Sequence, residues 1–178
     1  MENTRNFLEL VQSRYSVRKF SDKEVEREKI DKILRAGQVA PTACNLQPQR
    51  ILVINSKEAI NKFRKCTECH FNAPLAILVC HDKDKAWKRS YDGKSSGDID
   101  ASIVTTHMML EAFNLGIGST WVMHFIPEAI REEFNLPENY EATSILVMGY
   151  PAEDAKPFPG HADKKNLEET VCFNEFTF

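Results

Sequence analysis

One stretch of this sequence cannot lie open to water around its whole circumference. From Asp98 to Leu115 the chain reads as a single long helix, in which Ile99, Ile103, Val104, Met108, Met109, Leu110, Ala112, Phe113 and Leu115 cover most of the girth. A helix with one apolar stripe rests on a core; one that is apolar nearly all round belongs at the centre of a domain or of an oligomer. Gly116 comes next as a natural C-cap. At 178 residues the chain forms one domain, 1–178, long enough to bury a substantial core.

The remaining elements arrange themselves around that helix. Phe7, Leu8, Leu10 and Val11 predict a short helix over 3–13, and Ile30, Ile33 and Leu34 an amphipathic one ending near Gly37. Buried strands are expected over 50–55, 74–80, 117–125 and 143–150. Ser56 caps a helix running to Lys65, and Pro127 opens another. The polar stretch 83–97 reads as a surface excursion whose position would suit a lid. Residues 151–178 read as an arm ending in Phe173, Phe176 and Phe178, anchors for a second subunit. The order of elements gives an α+β class, with helices flanking a mixed or antiparallel sheet of four to five strands.

Composition narrows the partners. With 23 basic and 26 acidic residues the formal charge is −3, without a basic run, which argues against nucleic acid. No apolar run approaches the ~20 residues of a membrane span, and the first residues lack the order of a signal peptide. Five cysteines, an odd count, point to reduced thiols in the cytoplasm.

Chemistry concentrates first at Arg14-Tyr15-Ser16-Val17-Arg18. Extended, this segment places Arg14, Ser16 and Arg18 on one side and Tyr15, Val17 and Lys19 on the other. Arg14 and Arg18 then stand ~13 Å apart, a reach suited to a long phosphorylated ligand. The same pattern also fits an exposed strand with paired charges. A second piece is the small, polar loop Pro41-Thr42-Ala43-Cys44-Asn45, through which backbone can approach a ligand. A third is the basic pair Lys164-Lys165.

Two motifs compete for attention. Cys66-Thr67-Glu68-Cys69-His70 has the spacing of c-type haem attachment. Covalent haem normally requires export, and zinc would need further ligands that no second CxxC supplies. A helix end that happens to carry two cysteines is the reading favoured here. Gly116-Ile117-Gly118 comes after a helix rather than a strand, so it reads as a cap and not as a dinucleotide fingerprint. His107, within the long helix, reads as a satisfied core histidine.

The three basic and polar pieces, in this order and spacing, resemble the nitroreductase family of FMN-dependent oxidoreductases. Asn114 to Val122 resembles the family's helix-to-strand corner and Val147 to Ala152 its last strand, so the likeness extends from Phe7 to about Val171. The resemblance implies a homodimer with two FMN sites in its interface and a C-terminal arm exchanged between subunits. It assigns Arg14, Tyr15, Ser16 and Arg18 to the flavin of one site, Arg14 nearest the phosphate and Arg18 nearest the N1/O2 edge. Pro41, Thr42, Ala43 and Asn45 would reach that flavin from the other subunit. Met123 and His124 fall where the family offers backbone to N5, and Lys164 where many members have a phosphate-binding Arg. Gln49 replaces an aromatic usual in the family.

The activity implied by the same resemblance is hydride transfer from NAD(P)H through FMN to a small organic acceptor, such as a nitroaromatic or a quinone, in a ping-pong sequence. The cofactor carries this chemistry, so no catalytic acid or base and no metal ligand is expected of the chain. The rival expectations are a flavin-storing protein of the same fold without turnover, and a haem or metal protein built on Cys66, Cys69 and His70.

Overall fold

Four apolar runs pair into one antiparallel sheet: β1 (Gln49–Ile54), β2 (Leu75–Asp82), β3 (Gly118–Val122) and β4 (Tyr140–Gly149), in the order β1-β2-β4-β3. They are seen in a computed structural model, which describes residues 6–176. The first residues of the expected N-terminal helix (3–5) and Phe178 lie outside the described residues. β2 runs at the centre with all eight residues buried, because helices cover both faces of the sheet.

The helices are α1 (Phe7–Ser13), α2 (Arg27–Gln38), α3 (Lys57–Cys66), α4 (Gly97–Asn114) and α5 (Pro127–Phe134). Successive residues of β2 alternate between two cores, as a strand's period of two requires. Leu75, Ile77 and Val79 meet Ile33 of α2 and Val104 and Met108 of α4. Ala76, Leu78 and Cys80 meet Phe63 of α3 and Ile130 of α5. Gly37 lets α2 approach α4 closely, since a Cβ there would stand 2.8 Å from Met108 Cγ.

Half of the demand made by the long helix is met inside the chain. Ala101, Val104, Thr105, Met108 and Ala112 of α4 are buried. Its other side stays open: Ile99 is 54% exposed, and with Ile103, Thr106 and His107 it lines a depression of about 400 Å³. His107 is therefore no core histidine. It is half-buried on this second face, with Nδ1 2.9 Å from the Ile103 carbonyl.

The 83–97 excursion is more ordered than its polarity suggests. Trp87 and Ser96 are joined by a 2.8 Å backbone bond, Lys88 bridges Ser95, and Arg89 forks onto Asp92 at 2.8 and 2.5 Å. It is a small hairpin with Tyr91 at its tip. Beyond Pro151 the chain lies on the surface, with Phe158, Leu167, Phe173 and Phe176 all more than two-thirds exposed. Among the described residues no helix is long and apolar enough to cross a membrane.

Candidate functional site

The Arg14–Phe20 segment is strapped along the outer edge of β3. Ser16 bridges Ser119 in the parallel sense, and the Val17 N–H donates to the Ser119 carbonyl at 3.0 Å. The Thr120 hydroxyl donates in return to the Val17 carbonyl. Further along, the Ser21 N–H donates to Tyr150 O at 2.9 Å and Ala152 N–H to Lys19 O at 3.1 Å. Val17 is the buried peg of the strap, seated on Gly118, where a Cβ would fall 2.7 Å from it.

Four of the expected residues sit on this strap. Arg14 is half-buried at the end of α1, and burial pushes its guanidinium pKa down. Its side chain makes no hydrogen bond or ion pair with another described residue. Beneath the strap the Ser119 hydroxyl is buried and equally without a partner. Tyr15 meets His161 edge-on, with ring centroids 6.3 Å apart, and Lys164 donates to the His161 carbonyl. The arm thereby carries Lys164 to the Tyr15 end of the strap. Ser16 and Arg18 line a depression of about 370 Å³ walled by Asp154 and Phe158. Lys19 lines it too, paired with Asp154, against the simple alternation expected of it. The strap is held by isolated bridges rather than a continuous ladder, so it does not keep one strand-like pleat.

The second piece enters the sheet from the opposite edge. Pro41 and Thr42 lead into a single tight turn, Ala43–Asn45, just before β1. Cys44, Asn45 and Gln47 have φ of 50°, 54° and 50°. That left-handed region costs a residue with a Cβ roughly 1–2 kcal/mol, with Asn tolerating it best. Local bonds hold the turn: Asn45 N–H to Thr42 O at 2.9 Å and Gln47 N–H to Thr42 Oγ1 at 3.1 Å. The Ala43 N–H donates at 2.8 Å to Asp100 Oδ1. With β1 and β3 three inter-strand steps apart, roughly 14 Å, one chain does not bring the strap and this loop together.

Met123 and His124 leave the end of β3 exposed. The His124 carbonyl accepts from the Thr67 hydroxyl at 2.5 Å, and Ile126 N–H donates to Cys66 O at 2.8 Å. The Cys66–His70 segment thus props the exit of β3. Burial pushes the Cys66 thiol up to about 11, and His70 Nδ1 accepts from the Asn72 N–H at 3.0 Å. Among the described residues no three His, Cys, Asp or Glu side chains are grouped to hold a metal ion.

Sequence reasoning missed the supports of these pieces: Asp100 under the Ala43 turn, Thr120 and Ser119 under the strap, Thr67 under His124, and His161 between Tyr15 and Lys164. An acid in the first turn of a helix reads as a dipole partner. A hydroxyl on a strand carries no signal of its own.

The α+β domain thus carries a cationic strap on one sheet edge and a strained small-residue loop on the other. The sequence model of the nitroreductase family matches residues 11–71 and 64–150. A solved nitroreductase family protein from Clostridium difficile is 49% identical, at a TM-score of 0.91 over 96% of this chain and 99% of that one. A second C. difficile structure, an FMN-dependent nitroreductase, is 33% identical at a TM-score of 0.78, covering 95% and 99%. An Archaeoglobus fulgidus protein provisionally named as an NADH dehydrogenase/NAD(P)H nitroreductase is 36% identical over 89% of this chain and 92% of its own length. The chain belongs to the nitroreductase family, and its fold is the nitroreductase fold.

Proposed function

We propose that this protein is a homodimeric, FMN-dependent oxidoreductase that passes hydride from NAD(P)H to a small organic acceptor such as a nitroaromatic or quinone. The observation that carries the reading is Arg14: a half-buried guanidinium with no counter-charge among the described residues. Desolvating a cation is unfavourable unless an anion arrives to complete the site. A ligand with a phosphate fits that unpaired cation. Bound FMN would supply the hydride chemistry. Arg14 and Lys164 would hold the phosphate, and Arg18 would place positive charge beside the N1/O2 edge, favouring the reduced form. Met123 and His124 would present backbone at the opposite end of the ring system.

The homodimer is supported by the same geometry. Thr42 and Asn45 lie at the sheet edge opposite the strap, so they would serve the partner's site, and the open face of α4 with the exposed arm supplies apolar surface for the contact. NAD(P)H and the acceptor would take turns over one exposed face, in a ping-pong sequence.

The test begins with the purified protein. Denaturation is expected to release a yellow chromophore that co-elutes with FMN, and initial-rate plots at several acceptor concentrations are expected to be parallel. Release of FAD, or no uptake of FMN, would refute the cofactor. Uptake of FMN without NAD(P)H oxidation by any acceptor would leave a storage protein.

A further inference from the structure

Asp100 is a buried carboxylate that the proposed chemistry does not use. It is 2% exposed in the first turn of α4. A carboxylate so deep is tolerated only when it is bonded, and both of its oxygens are. Oδ1 accepts from the Ala43 N–H at 2.8 Å and Oδ2 from the Ser96 hydroxyl at 2.7 Å. Ser96 occupies the N-cap position of α4, yet its hydroxyl makes no cap bond and turns to Asp100 instead. Among the described residues no Lys, Arg or His pairs with this carboxylate.

What it grips is the strained loop. Cys44, Asn45 and Gln47 hold positive φ without a glycine among them, and such backbone persists only where its surroundings over-determine it. The Thr42 side chain closes the loop on itself, whereas Asp100 ties it to the body of the protein. On its other side the same carboxylate fixes Ser96, at the base of the 87–96 hairpin.

We propose that Asp100 is a positioning residue. Through Ala43 it holds Thr42–Asn45 in the shape that receives the flavin, and through Ser96 it makes the base of the hairpin part of the same rigid unit. The proposal rests on the assignment of FMN as cofactor. Since the loop and Arg14 lie on opposite sheet edges, Asp100 governs flavin affinity without governing phosphate recognition.

The experiment titrates apo-protein with FMN and with riboflavin for the parent, Asp100→Ala, Asp100→Asn and Ser96→Ala. Sedimentation, urea unfolding and amide hydrogen exchange of 43–47 are measured on the same apo samples. Asp100→Ala is expected to weaken both flavins by a similar factor, roughly ten- to a hundredfold, the worth of a hydrogen bond to a charged group. It should also speed exchange in 43–47 while the fold persists. Asp100→Asn keeps an acceptor for the Ala43 N–H and should stay within about threefold of the parent. Ser96→Ala leaves the Ala43 bond intact and should do the same.

Folded Asp100→Ala with parental flavin affinity overturns the proposal. So does an Asp100→Asn as poor as the alanine variant, because a purely structural charge would behave that way. Affinity lost only in proportion to unfolded or monomeric protein overturns it as well. A parent that takes up no flavin refutes the functional reading and the ligand half of this proposal, and the exchange data then judge the clamp alone.

Discussion

Replacing Arg14 with Gln separates the stability of this protein from its function, because the two should move in opposite directions. In the apo-protein the guanidinium is half-buried and has no partner among the described residues, so it carries a desolvation penalty with nothing to offset it. Removing it should leave apo stability unchanged or raise it, by up to ~1 kcal/mol. At the proposed FMN site the same change would remove a charge-assisted contact to phosphate, worth ~1.5–3 kcal/mol. Partial exposure puts the expected loss in the lower half of that range, about one decade of affinity at 1.4 kcal/mol per decade. The assays are urea unfolding of the apo forms and parallel titration with FMN and riboflavin, and Lys164→Ala should show a smaller loss with the same selectivity. An Arg14→Gln apo-protein destabilised by more than ~1 kcal/mol would refute this account, since the residue would then be structural. Riboflavin weakened as much as FMN would refute it equally, since the residue would then not read the phosphate.

A Cβ at Gly97 would lie 2.2 Å from His81 Cδ2, and that ring is fixed by Thr143 at 3.0 Å, so Gly97→Ala should cost ~2–3 kcal/mol in urea unfolding; a parental midpoint would show that the ring can yield. Burial holds the Cys66 and Cys80 thiols up to about 11 and about 12, so in native protein at pH 8 a disulfide reagent should label exposed Cys44 well before either. The same shifts give an alkaline limb. Unfolded thiols ionise near 9.0 while the folded ones stay protonated, so the unfolded state binds fewer protons and stability falls as pH rises from 9.0 toward 11; a flat profile there would count against both shifts. Glu26, hydrogen-bonded by the Tyr150 hydroxyl and held down at about 2, contributes stability that is present above 4.5 and lost as pH falls toward 2, and Glu26→Gln should flatten that limb of an acid titration followed by circular dichroism. Changing exposed Leu167 and Phe173 to Ser should weaken dimerisation tenfold or more in sedimentation, with flavin content falling alongside; a monomer that keeps its flavin would mean the site is built within one chain.

How far the sequence could be read depended on whether a residue's signal was local. The run Ile145 to Met148 is apolar because both faces of β4 are covered, and such a run reveals a central strand without any partner in view. Arg14, Ser16 and Arg18 stood out as a candidate group because two cations and a hydroxyl fall at alternate positions, and all three lie on the strap along β3. The shape of the 43–47 loop was not legible, since left-handed backbone is normally announced by glycine and here falls on Cys44, Asn45 and Gln47. The 87–96 hairpin was hidden by its polarity, being held by Arg89–Asp92 and backbone bonds rather than by an apolar face. His107 misled for a different reason. The periodicity of α4 shows that both of its sides are apolar, but not which side this chain itself covers.

The strap has a consequence for the order of events during synthesis. Val17 leaves the ribosome 103 residues before Thr120, the side chain that fastens it. At 5–20 residues per second that gap is roughly 5–20 s, far longer than a helix or a hairpin needs to form. Through that interval Val17 has no Gly118 to rest on, and Arg14 and Ser16 have no edge to lie against. Even when β3 emerges it must pair with β4, twenty-odd residues further on, before that edge exists. The segment made early is therefore fixed late, after the sheet has closed. A nascent chain thus lacks the finished edge against which Arg14 and Ser16 lie, and any ligand that needs that edge must wait for a closed sheet.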